Sequence, residues 1–556
     1  MSHPNLANFY KSISKNKFLL FAILAGLVLR GLNPTFGSPS LFVSNDEAIA
    51  HLSAFNMIAN KTPISIANYT PLGAYLQIPF LLASFLVMKI SGLVSDAGDF
   101  ELFVLTHEGY FLFVPRLISA FFGTLTILVI YKITLLLFKN SQTAIISAFL
   151  TAVSFNLVHI SHFGRPWAAA LFLFTLAVYF LIKNKAFYSY LAVSLSYGFH
   201  QVGILAIPLV VWLTKKRFTF KNLLGVFVSA LILFTFSSLT IRNGLIESIR
   251  RDQSFLKVGK LAADILTGNP DLLGSAVRSV KENLFLFFSV NLLLTDGIIF
   301  LLAIWGMAKL SKLVLQKKLS FYILGYFLLA VLFFHPLPRY LLPIFLLSIP
   351  FAADSLTNIF KRSKFLFITL LVVSSFNSLW WNYLYLKTPT FIQVNNWLNQ
   401  NVSKDIPVAY IGGRYQTFLP NKQAINLMQS SNLQTYSRLS SILPKTGYSN
   451  VRNIVYVSNF VGNTKIEQLH SATDNYPVLY VIDYYIEPSE KLINQAPGSF
   501  KIVAQFNPTR SSIIAGIPEP LFDASWNFPF NDQRPKVSMY SLDRIGPYFD
   551  ILEVKN

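Results

Sequence analysis

Long apolar runs separated by short polar or basic stretches fill roughly the first 385 residues of the chain, after which the pattern becomes mixed. An apolar run of about 20 residues can cross the hydrocarbon core of a bilayer as a helix. The pattern therefore predicts a membrane protein: an all-α bundle followed by a water-exposed domain. Predicted helices cover residues 17–32, 111–138, 143–158, 167–182, 186–213 (two short spans bent at His200-Gln201), 223–241, 284–308, 321–334, 340–353 and about 364–381.

The apolar run 71–90 decides the topology, because its length also suits a membrane span. If this run does not cross, the basic loops after the predicted helices all lie on the side of the N-terminal lysines, as the positive-inside rule expects. If it crosses, those loops move outside. We therefore expect about eleven crossings, with residues 33–110 as a first outer loop that carries juxtamembrane helices. The N-terminus is then cytoplasmic and the C-terminal domain extracytoplasmic.

Composition supports a multi-pass membrane protein and excludes other classes. The chain of 556 residues is 53% hydrophobic and contains 52 Phe and no Cys, so disulfides, thiolate metal sites and thiol catalysis are excluded. After residue 384, 15 Lys and Arg stand against 12 Asp and Glu. Most of the net charge of +21 therefore lies in the apolar part, mainly in its short loops, which argues against a nucleic-acid partner.

The polar C-terminal part predicts a second domain over residues 385–556, after a transmembrane domain over 1–384. A helix is expected at 391–401, and strand-like runs follow at 408–411, 454–457, 478–482 and 500–504 with polar and Gly/Pro segments between them. These elements indicate a small α/β domain. Gly412-Gly413 lacks the spacing of a nucleotide-binding fingerprint.

An acidic pair, Asp46-Glu47, follows the first apolar run. Ser44 and Glu47 match the capping box of a helix that continues to about residue 60, so helix capping alone explains the pair. The charge-based topology also places the pair on the outer face. We therefore expect Ser44 and Glu47 to start the juxtamembrane helix, and the helix start to orient Asp46 towards a substrate.

Basic and histidine-bearing corners are predicted on the same face as the acidic pair. Clustered charges at a membrane face are costly and indicate a functional site. The cluster fits glycosyl transfer from a lipid phosphate: arginines would hold the phosphate, and a carboxylate would deprotonate an acceptor hydroxyl. A single displacement of this kind inverts the anomeric carbon. The candidate residues are Asp46 as general base with Glu47 orienting it, Arg165, Arg339 and Arg116 for the donor phosphate, and His162, Tyr69, Tyr75, His200, Gln201, His335 and Tyr340 for substrate.

Each of these residues also has a purely structural interpretation. Arginines at helix ends anchor to the interface, tyrosines do the same, and Pro336 and Pro338 would end the preceding helix. His159 and His162, and Glu47 and His51, have helix-face spacing compatible with metal binding, but no ligand motif completes a site. The sequence therefore predicts no cofactor and leaves a divalent metal open.

Several motifs together resemble the GT-C superfamily of polytopic glycosyltransferases, in the branch of protein O-mannosyltransferases and lipid A aminoarabinose transferases. Their order along the chain carries the resemblance, which covers about residues 17–385. The motifs are Asn45-Asp46-Glu47, Tyr69-Thr70-Pro71-Leu72-Gly73-Ala74-Tyr75-Leu76, the run from Pro115-Arg116 to Thr126, His162-Phe163-Gly164-Arg165-Pro166 and Arg339-Tyr340-Leu341-Leu342-Pro343.

The resemblance implies a polyprenyl-phosphate-sugar donor, an extracytoplasmic active site and an inverting mechanism. By carry-over, Asp46 matches the catalytic acidic position, and Arg165 and Arg339 match basic positions near the donor phosphate. The chain departs from the family pattern after Arg165, where Pro166 replaces a frequent acidic residue, and at His200-Gln201, where a lysine is frequent.

The leading hypothesis is therefore a membrane glycosyltransferase of the cell envelope. It would move one hexose or pentose from a polyprenyl phosphate to a protein, glycan or lipid acceptor on the outer face. Two alternatives are a flippase or transporter of lipid-linked sugars and a catalytically inactive, lipid-sugar-binding relative. A transporter predicts polar residues in mid-helix along a path across the membrane, whereas the polar groups here gather at one face.

Overall fold

The computed structural model describes residues 16–38, 45–63, 70–214, 219–241, 296–309, 314–333, 338–411, 418–430, 451–457, 479–484, 500–507, 543–546 and 548–554. The chain divides into two compact units. The first takes its described residues from 1–34, 49–80 and 114–382, and the second from 35–48, 81–113 and 383–556.

Helices form the described chain up to residue 401. They are α1 (Lys17–Gly31), α2 (Asn45–Asn60), α3 (Leu72–Ile90), α4 (Ala97–Thr106), α5 (Glu108–Phe111), α6 (Phe113–Phe138), α7 (Ser141–Val153), α8 (Phe155–His162), α9 (Trp167–Ile182), α10 (Ala186–Phe199), a 3₁₀ helix (Gln201–Leu205), α11 (Ala206–Leu213), α12 (Phe220–Ile241), α13 (Gly297–Ala308), α14 (Val314–Phe333), α15 (Pro338–Arg362), α16 (Lys364–Tyr385) and α17 (Thr390–Asn401).

The helices identify an integral membrane protein, as the apolar runs predict. Among the described residues, 4 helices are long and apolar enough to cross a membrane, or up to 5 if the bent pair α7–α8 counts as one span. The predicted fold class, an α-helical membrane bundle with a C-terminal α/β domain, is confirmed. The crossing number of about eleven stays a prediction.

Close helix contacts build the core of the first unit. Leu19 and Ala22 on α1 are buried together with Ile127 on α6 and with Ala148 and Ala152 on α7. Small side chains let membrane helices approach closely. Gly26 illustrates this on α1, since a Cβ there would collide with Ile127 and would lie 3.3 Å from Ala152 Cβ.

The predicted helix 143–158 is wrong in its continuity. Helix α7 ends at Val153, Ser154 is extended, and α8 continues to His162 after a bend of 50°. His159 and His162 therefore lie on a helix rather than in the corner that follows it. The predicted helix 284–308 is wrong in a similar way, because Asp296 is a non-helical N-cap and α13 begins at Gly297.

Other predicted helices differ mainly at their ends. Pro338 starts α15 rather than ending the helix before it, which fits the tolerance of the first helical turn for proline. Helix α15 then continues past the predicted end at residue 353 to Arg362, with Pro343 and Pro350 inside it. Lys317 and Lys318 lie inside α14 rather than in a loop. The bend at His200 is confirmed, and the segment 33–110, which is predicted to be the first outer loop, contains α4 and α5 in addition to the predicted helices.

Strands and two helices form the C-terminal part of the second unit. The elements after α17 are β1 (Val408–Ile411), β2 (Leu419–Pro420), α18 (Lys422–Ser430), β3 (Val451–Arg452), β4 (Ile454–Val457), β5 (Leu479–Tyr484), β6 (Phe500–Phe506) and β7 (Tyr548–Val554). The main sheet has the order β4-β1-β5-β7-β6; β1 runs parallel to β4 and β5, and β7 runs antiparallel to β5 and β6.

Helix α17 and the sheet share an apolar core. Phe391, Val394 and Leu398 are buried on α17, as are Val408 and Ala409 on β1. At the end of this helix the Arg452 guanidinium donates to the carbonyls of Leu398, Val402 and Ser403. Arg452 thus satisfies carbonyls that the helix itself leaves open.

Candidate functional site

A small, partly open cavity in the first unit lies where α2, α3, α6 and the α8–α9 corner meet. Its volume is about 20 Å³, enough for one water molecule. The lining residues are Ala50, Gly73, Gln77, Pro115, Ile118, Ser119, Gly164, Arg165, Pro166, Ala169 and Phe199. Three of the sequence motifs, those at 69–76, 115–126 and 162–166, therefore meet at one cavity.

Arg165 brings positive charge to this cavity. The residue is 4% exposed, its guanidinium carbon lies 5.7 Å from the Phe163 ring centroid, and its backbone carbonyl accepts a hydrogen bond of 2.9 Å from Ser119 Oγ. Because backbone and ring both constrain it, the arginine is held at a defined place. A buried guanidinium with its planar donors suits a phosphate or carboxylate.

The start of α3 packs directly against the same corner. A Cβ on Gly73 would lie 3.0 Å from Pro166 Cβ, so glycine permits the close approach. One turn later, Gln77 is buried; its Nε2 donates to the Gly73 carbonyl at 3.2 Å, and its Oε1 lies 2.9 Å from His51 Nδ1. The hydrogen bond between Gln77 and His51 ties α3 to α2.

A second group of basic side chains is buried in the same unit. His162 Nε2 contacts Asn382 Oδ1 at 3.1 Å, and Arg116 and Arg30 are buried in the same unit. Arg116 donates to the Pro34 carbonyl at 2.9 Å. The structure therefore gives His162 a defined partner on α16 and Arg116 a defined structural contact.

The break between α7 and α8 is stabilised by a carboxylate that the sequence reasoning missed. Asp296 accepts hydrogen bonds of 2.8–2.9 Å from Ser154 Oγ, the backbone N–H groups of Phe155 and Asn156, and Asn156 Nδ2. Ser154 is the N-cap residue of α8, and Asp296 binds further N–H groups of the first turn from a distant part of the chain, with its carboxylate at the positive end of that helix. The dipeptide Asp296-Gly297 is a turn signal inside an apolar run, and it could have revealed the start of α13 at this carboxylate.

The backbone carbonyl groups at the end of α7 accept hydrogen bonds from a buried arginine. Arg30 is 2% exposed and donates to the carbonyls of Thr151 and Ala152 at 2.7 and 2.9 Å. Ser378 Oγ donates to the next carbonyl, that of Val153, at 2.6 Å. The carbonyl groups at the end of α7 and the N–H groups at the start of α8 are therefore both hydrogen-bonded. These bonds fix the position of α8, which leads to the corner that carries Arg165.

Other predicted substrate residues have local structural contacts. Tyr75 donates its hydroxyl to the Pro63 carbonyl at 2.6 Å. His200 Nδ1 accepts from the Val202 N–H at 3.2 Å, and its ring lies 4.0 Å from the buried Trp167 ring. Gln201 is exposed at the start of the 3₁₀ helix. The side chain of His200 thus caps the 3₁₀ helix and packs on the Trp167 ring, which explains the bend at this residue.

The acidic pair lies at the start of α2. Asp46 is in the first turn of this helix, and Glu47 beside it is fully buried. The predicted helix start at the acidic pair agrees with the observed bounds, whereas Ser44 lies outside the described residues, as do Tyr69 and His335. The side chains of Asp46, Arg339 and Tyr340 are also outside the described part; the backbones of the last two lie in the first turn of α15.

Metal ligands do not cluster in the part of the chain that the structure describes: no group of three or more His, Cys, Asp or Glu is placed to hold an ion there. His159 instead packs among aromatic rings, with centroid distances of 5.2 Å to Phe163 and 5.4 Å to Trp381.

Comparison with known proteins gives similarity of structure only. No family model matches the chain, and no curated protein matches it. The oligosaccharyltransferase of Archaeoglobus fulgidus in the apo form has a TM-score of 0.44 and 14% identity, over 84% of this chain and 69% of that chain. ArnT from Cupriavidus metallidurans in the apo state has a TM-score of 0.46 and 10% identity, over 90% of this chain and 97% of that chain.

Both of these neighbours belong to the GT-C superfamily of glycosyltransferases. This is the superfamily that the sequence motifs resemble. A second structure of ArnT from Cupriavidus metallidurans, bound to undecaprenyl phosphate, has a TM-score of 0.40 and 10% identity over 88% of this chain and 95% of that chain.

Proposed function

We propose that the chain is a membrane glycosyltransferase that moves a single hexose or pentose from a polyprenyl phosphate to an acceptor on the outer face of the membrane. The observation that carries the proposal is that three separate sequence motifs meet at the α8–α9 corner and bring the buried guanidinium of Arg165 next to α2 and α3. A buried arginine of this kind suits the phosphate of a lipid-linked sugar.

The reaction divides between a phosphate side and an acceptor side. Arg165, with Arg339 and Arg116, stabilises the negative charge that develops on the leaving polyprenyl phosphate. Asp46 removes the proton of the acceptor hydroxyl as its oxygen bonds to the anomeric carbon. The bond between that carbon and the phosphate oxygen breaks in the same step, which inverts the configuration. Glu47, which is buried on α2 beside Asp46, is the positioning partner.

The substrate-binding residues fall into two groups in this proposal. His162 is the last residue of α8, and Tyr75 lies on α3. His200 and Gln201 follow the end of α10. Tyr69 belongs to the motif at 69–76, Tyr340 belongs to the motif at 339–343, and His335 shortly precedes the latter; these three residues complete the set. Partners are then a polyprenyl-phosphate sugar, a protein, glycan or lipid acceptor, and the bilayer, with no cofactor required by this mechanism.

Release of lipid phosphate tests this proposal directly. Purified protein is incubated with a panel of polyprenyl-phosphate hexoses and pentoses plus a crude envelope acceptor fraction, and free polyprenyl phosphate is measured by mass spectrometry. Glycosyl transfer predicts release with at least one donor and loss of release with Arg165→Gln. The control Glu101→Gln changes an exposed carboxylate on α4 and should leave release unchanged.

The alternatives predict different results in the same preparation. A flippase would move labelled lipid-linked sugar between the leaflets of proteoliposomes with no free polyprenyl phosphate produced. An inactive relative would bind the donor and neither move nor cleave it. Either result would contradict the transferase assignment.

A further inference from the structure

A polar groove lies within the second unit, beside α17 and the edge strand β6. Its volume is about 500 Å³, and it is shallow and open to solvent. One wall comes from α17, and the other comes from β6 and the segment before β7. The residues that matter here are Gln393, Asn396, Trp397, Gln400, Gln505 and Arg544.

Helical periodicity explains the wall that α17 supplies. Positions 393, 396, 397 and 400 recur at helical spacing, so they share one face of the helix. The opposite face carries the buried core residues Phe391, Val394 and Leu398. The groove face is therefore fixed by packing of the other face on the sheet.

The amides of this wall are available to a ligand. In the described part of the chain, the side chains of Gln393, Asn396 and Gln400 make no hydrogen bond, although each carries donors and acceptors. Gln505, on the opposite wall, donates to the buried Asp550 at 2.9 Å, which holds its amide in place. Amides that both donate and accept match hydroxyl groups, which do the same.

The groove has little net charge. Arg544 donates to Asp543 at 2.8 Å, and Lys387 contacts the same carboxylate at 2.6 Å. Asp543 thus faces two cations, and Asp550, which accepts from Gln505, is a second carboxylate beside the groove, so the formal charges of these four groups cancel. A phosphate, a nucleic acid or an acidic polymer would gain little attraction here, whereas a neutral ligand rich in hydroxyls would lose little.

We propose that this groove binds a neutral saccharide. The half-buried Trp397 offers an aromatic face against the apolar C–H face of a sugar ring, since tryptophan combines an apolar body with a polar edge. The amides of Gln393, Asn396 and Gln400 bond the ring hydroxyls. The groove chemistry carries this proposal, which holds whether or not the chain transfers a sugar.

Binding of defined glycans tests the groove. The full-length protein in nanodiscs is applied to an array of neutral and acidic oligosaccharides, and the best neutral ligand is then titrated in solution. Trp397→Ala should weaken its binding about tenfold or more, and the double variant Gln393→Ala/Gln400→Ala, which loses about two hydrogen bonds, should weaken it about tenfold. Asn399→Ala, an exposed position on α17 outside the groove, should bind like the wild type.

The double variant changes only polar side chains at the surface of the groove, so we expect it to fold. It therefore still tests the groove if Trp397→Ala fails to fold. Loss of neutral-glycan binding in the double variant, with Asn399→Ala unaffected, supports the groove. Three results would overturn the proposal: no neutral glycan bound, acidic glycans bound in preference, or equal affinity in the double variant and the wild type. In the last case the amides are only a solvated helix face.

Discussion

Asp296 offers the sharpest test of how the functional corner is held. Its carboxylate lies 142 residues from Ser154 along the chain and accepts the backbone N–H groups of Phe155 and Asn156 at the start of α8. In Asp296→Ala these donors lose their acceptor, and the site, 4% exposed at Asp296, offers little access to water. We therefore expect α8 and the Arg165 corner to lose their anchor.

The loss of stability can be worked out from the N–H donors that no longer have an acceptor. Each orphaned buried donor costs about 1–3 kcal/mol, so the two backbone N–H groups together give about 2–6 kcal/mol for Asp296→Ala. Asp296→Asn keeps one acceptor oxygen and loses the favourable charge at the helix N-terminus, worth about 0.3–2 kcal/mol. The asparagine variant should therefore fall between alanine and wild type.

Thermal unfolding in detergent measures this order. A loss of about 2–6 kcal/mol corresponds to a fall in Tm of roughly 3–10 °C for a unit of this size. Because the chain contains no cysteine, a single Val158→Cys substitution on α8 adds a local readout. This position is 1% exposed, so the introduced thiol should react with a maleimide in the Asp296→Ala background but resist it otherwise.

The matched control is Glu101→Gln, a carboxylate-to-amide change at an exposed site, which should leave both Tm and labelling unchanged. An unchanged Tm in Asp296→Ala, together with a thiol that stays protected in the Val158→Cys background, would refute the view that this carboxylate anchors α8.

Two further predictions concern packing and pH. Gly123→Ala should lower Tm by several degrees, because the new Cβ would collide with Ser161 and lie 3.0 Å from Arg30 Cδ, whereas Gly325→Ala, with nothing within 4 Å, should not; equal unfolding curves would contradict this. The hydrogen bond to Asp543, and then that to Tyr383, raises the pKa of Lys387, so its contribution to stability is fully present below the unfolded lysine pKa of about 10.4 and is lost as the pH rises through the folded value. The small Tm difference between Lys387→Met and wild type should thus persist from pH 7 to 9 and shrink above about pH 10.5, and a constant difference up to pH 12 would oppose this.

Much of the membrane fold follows from apolar periodicity alone. Helix α9 matches its predicted bounds at Trp167–Ile182, because a basic segment follows it and Pro166 precedes it. The bend at His200 was also predictable, since the run from 186 to 213 is too long for one span and is interrupted by polar residues. Local signals were sufficient in these places.

Long-range contacts explain where local signals failed. No proline or glycine marks the break at Ser154, which instead depends on Asp296, Arg30 and Ser378 from distant parts of the chain. Likewise β7 was missed because its pairing with β5 and β6 is made by residues far away in sequence. Tertiary partners thus override local preference at these elements.

The candidate site was only partly predictable. Motif order brought Arg165 and the region of Gly73 into consideration, and both line one cavity. Gln77 was missed, and Ser119 lay in the motif at 115–126 with no role assigned, because a lone amide or hydroxyl inside an apolar helix gives no signal until its neighbours are known. Their roles come from hydrogen bonds to His51 and to the Arg165 carbonyl.

Asp46 is central to the proposed function, as the base of a sugar transfer from a polyprenyl phosphate. The most direct measurement compares wild type, Asp46→Asn and Glu101→Gln in one assay of polyprenyl phosphate release, with binding of the same donor measured in parallel. We predict that Asp46→Asn binds the donor normally but releases polyprenyl phosphate at less than about one hundredth of the wild-type rate, the loss expected on removing a general base, while Glu101→Gln is unchanged. Release by Asp46→Asn at the wild-type rate would contradict this role for Asp46.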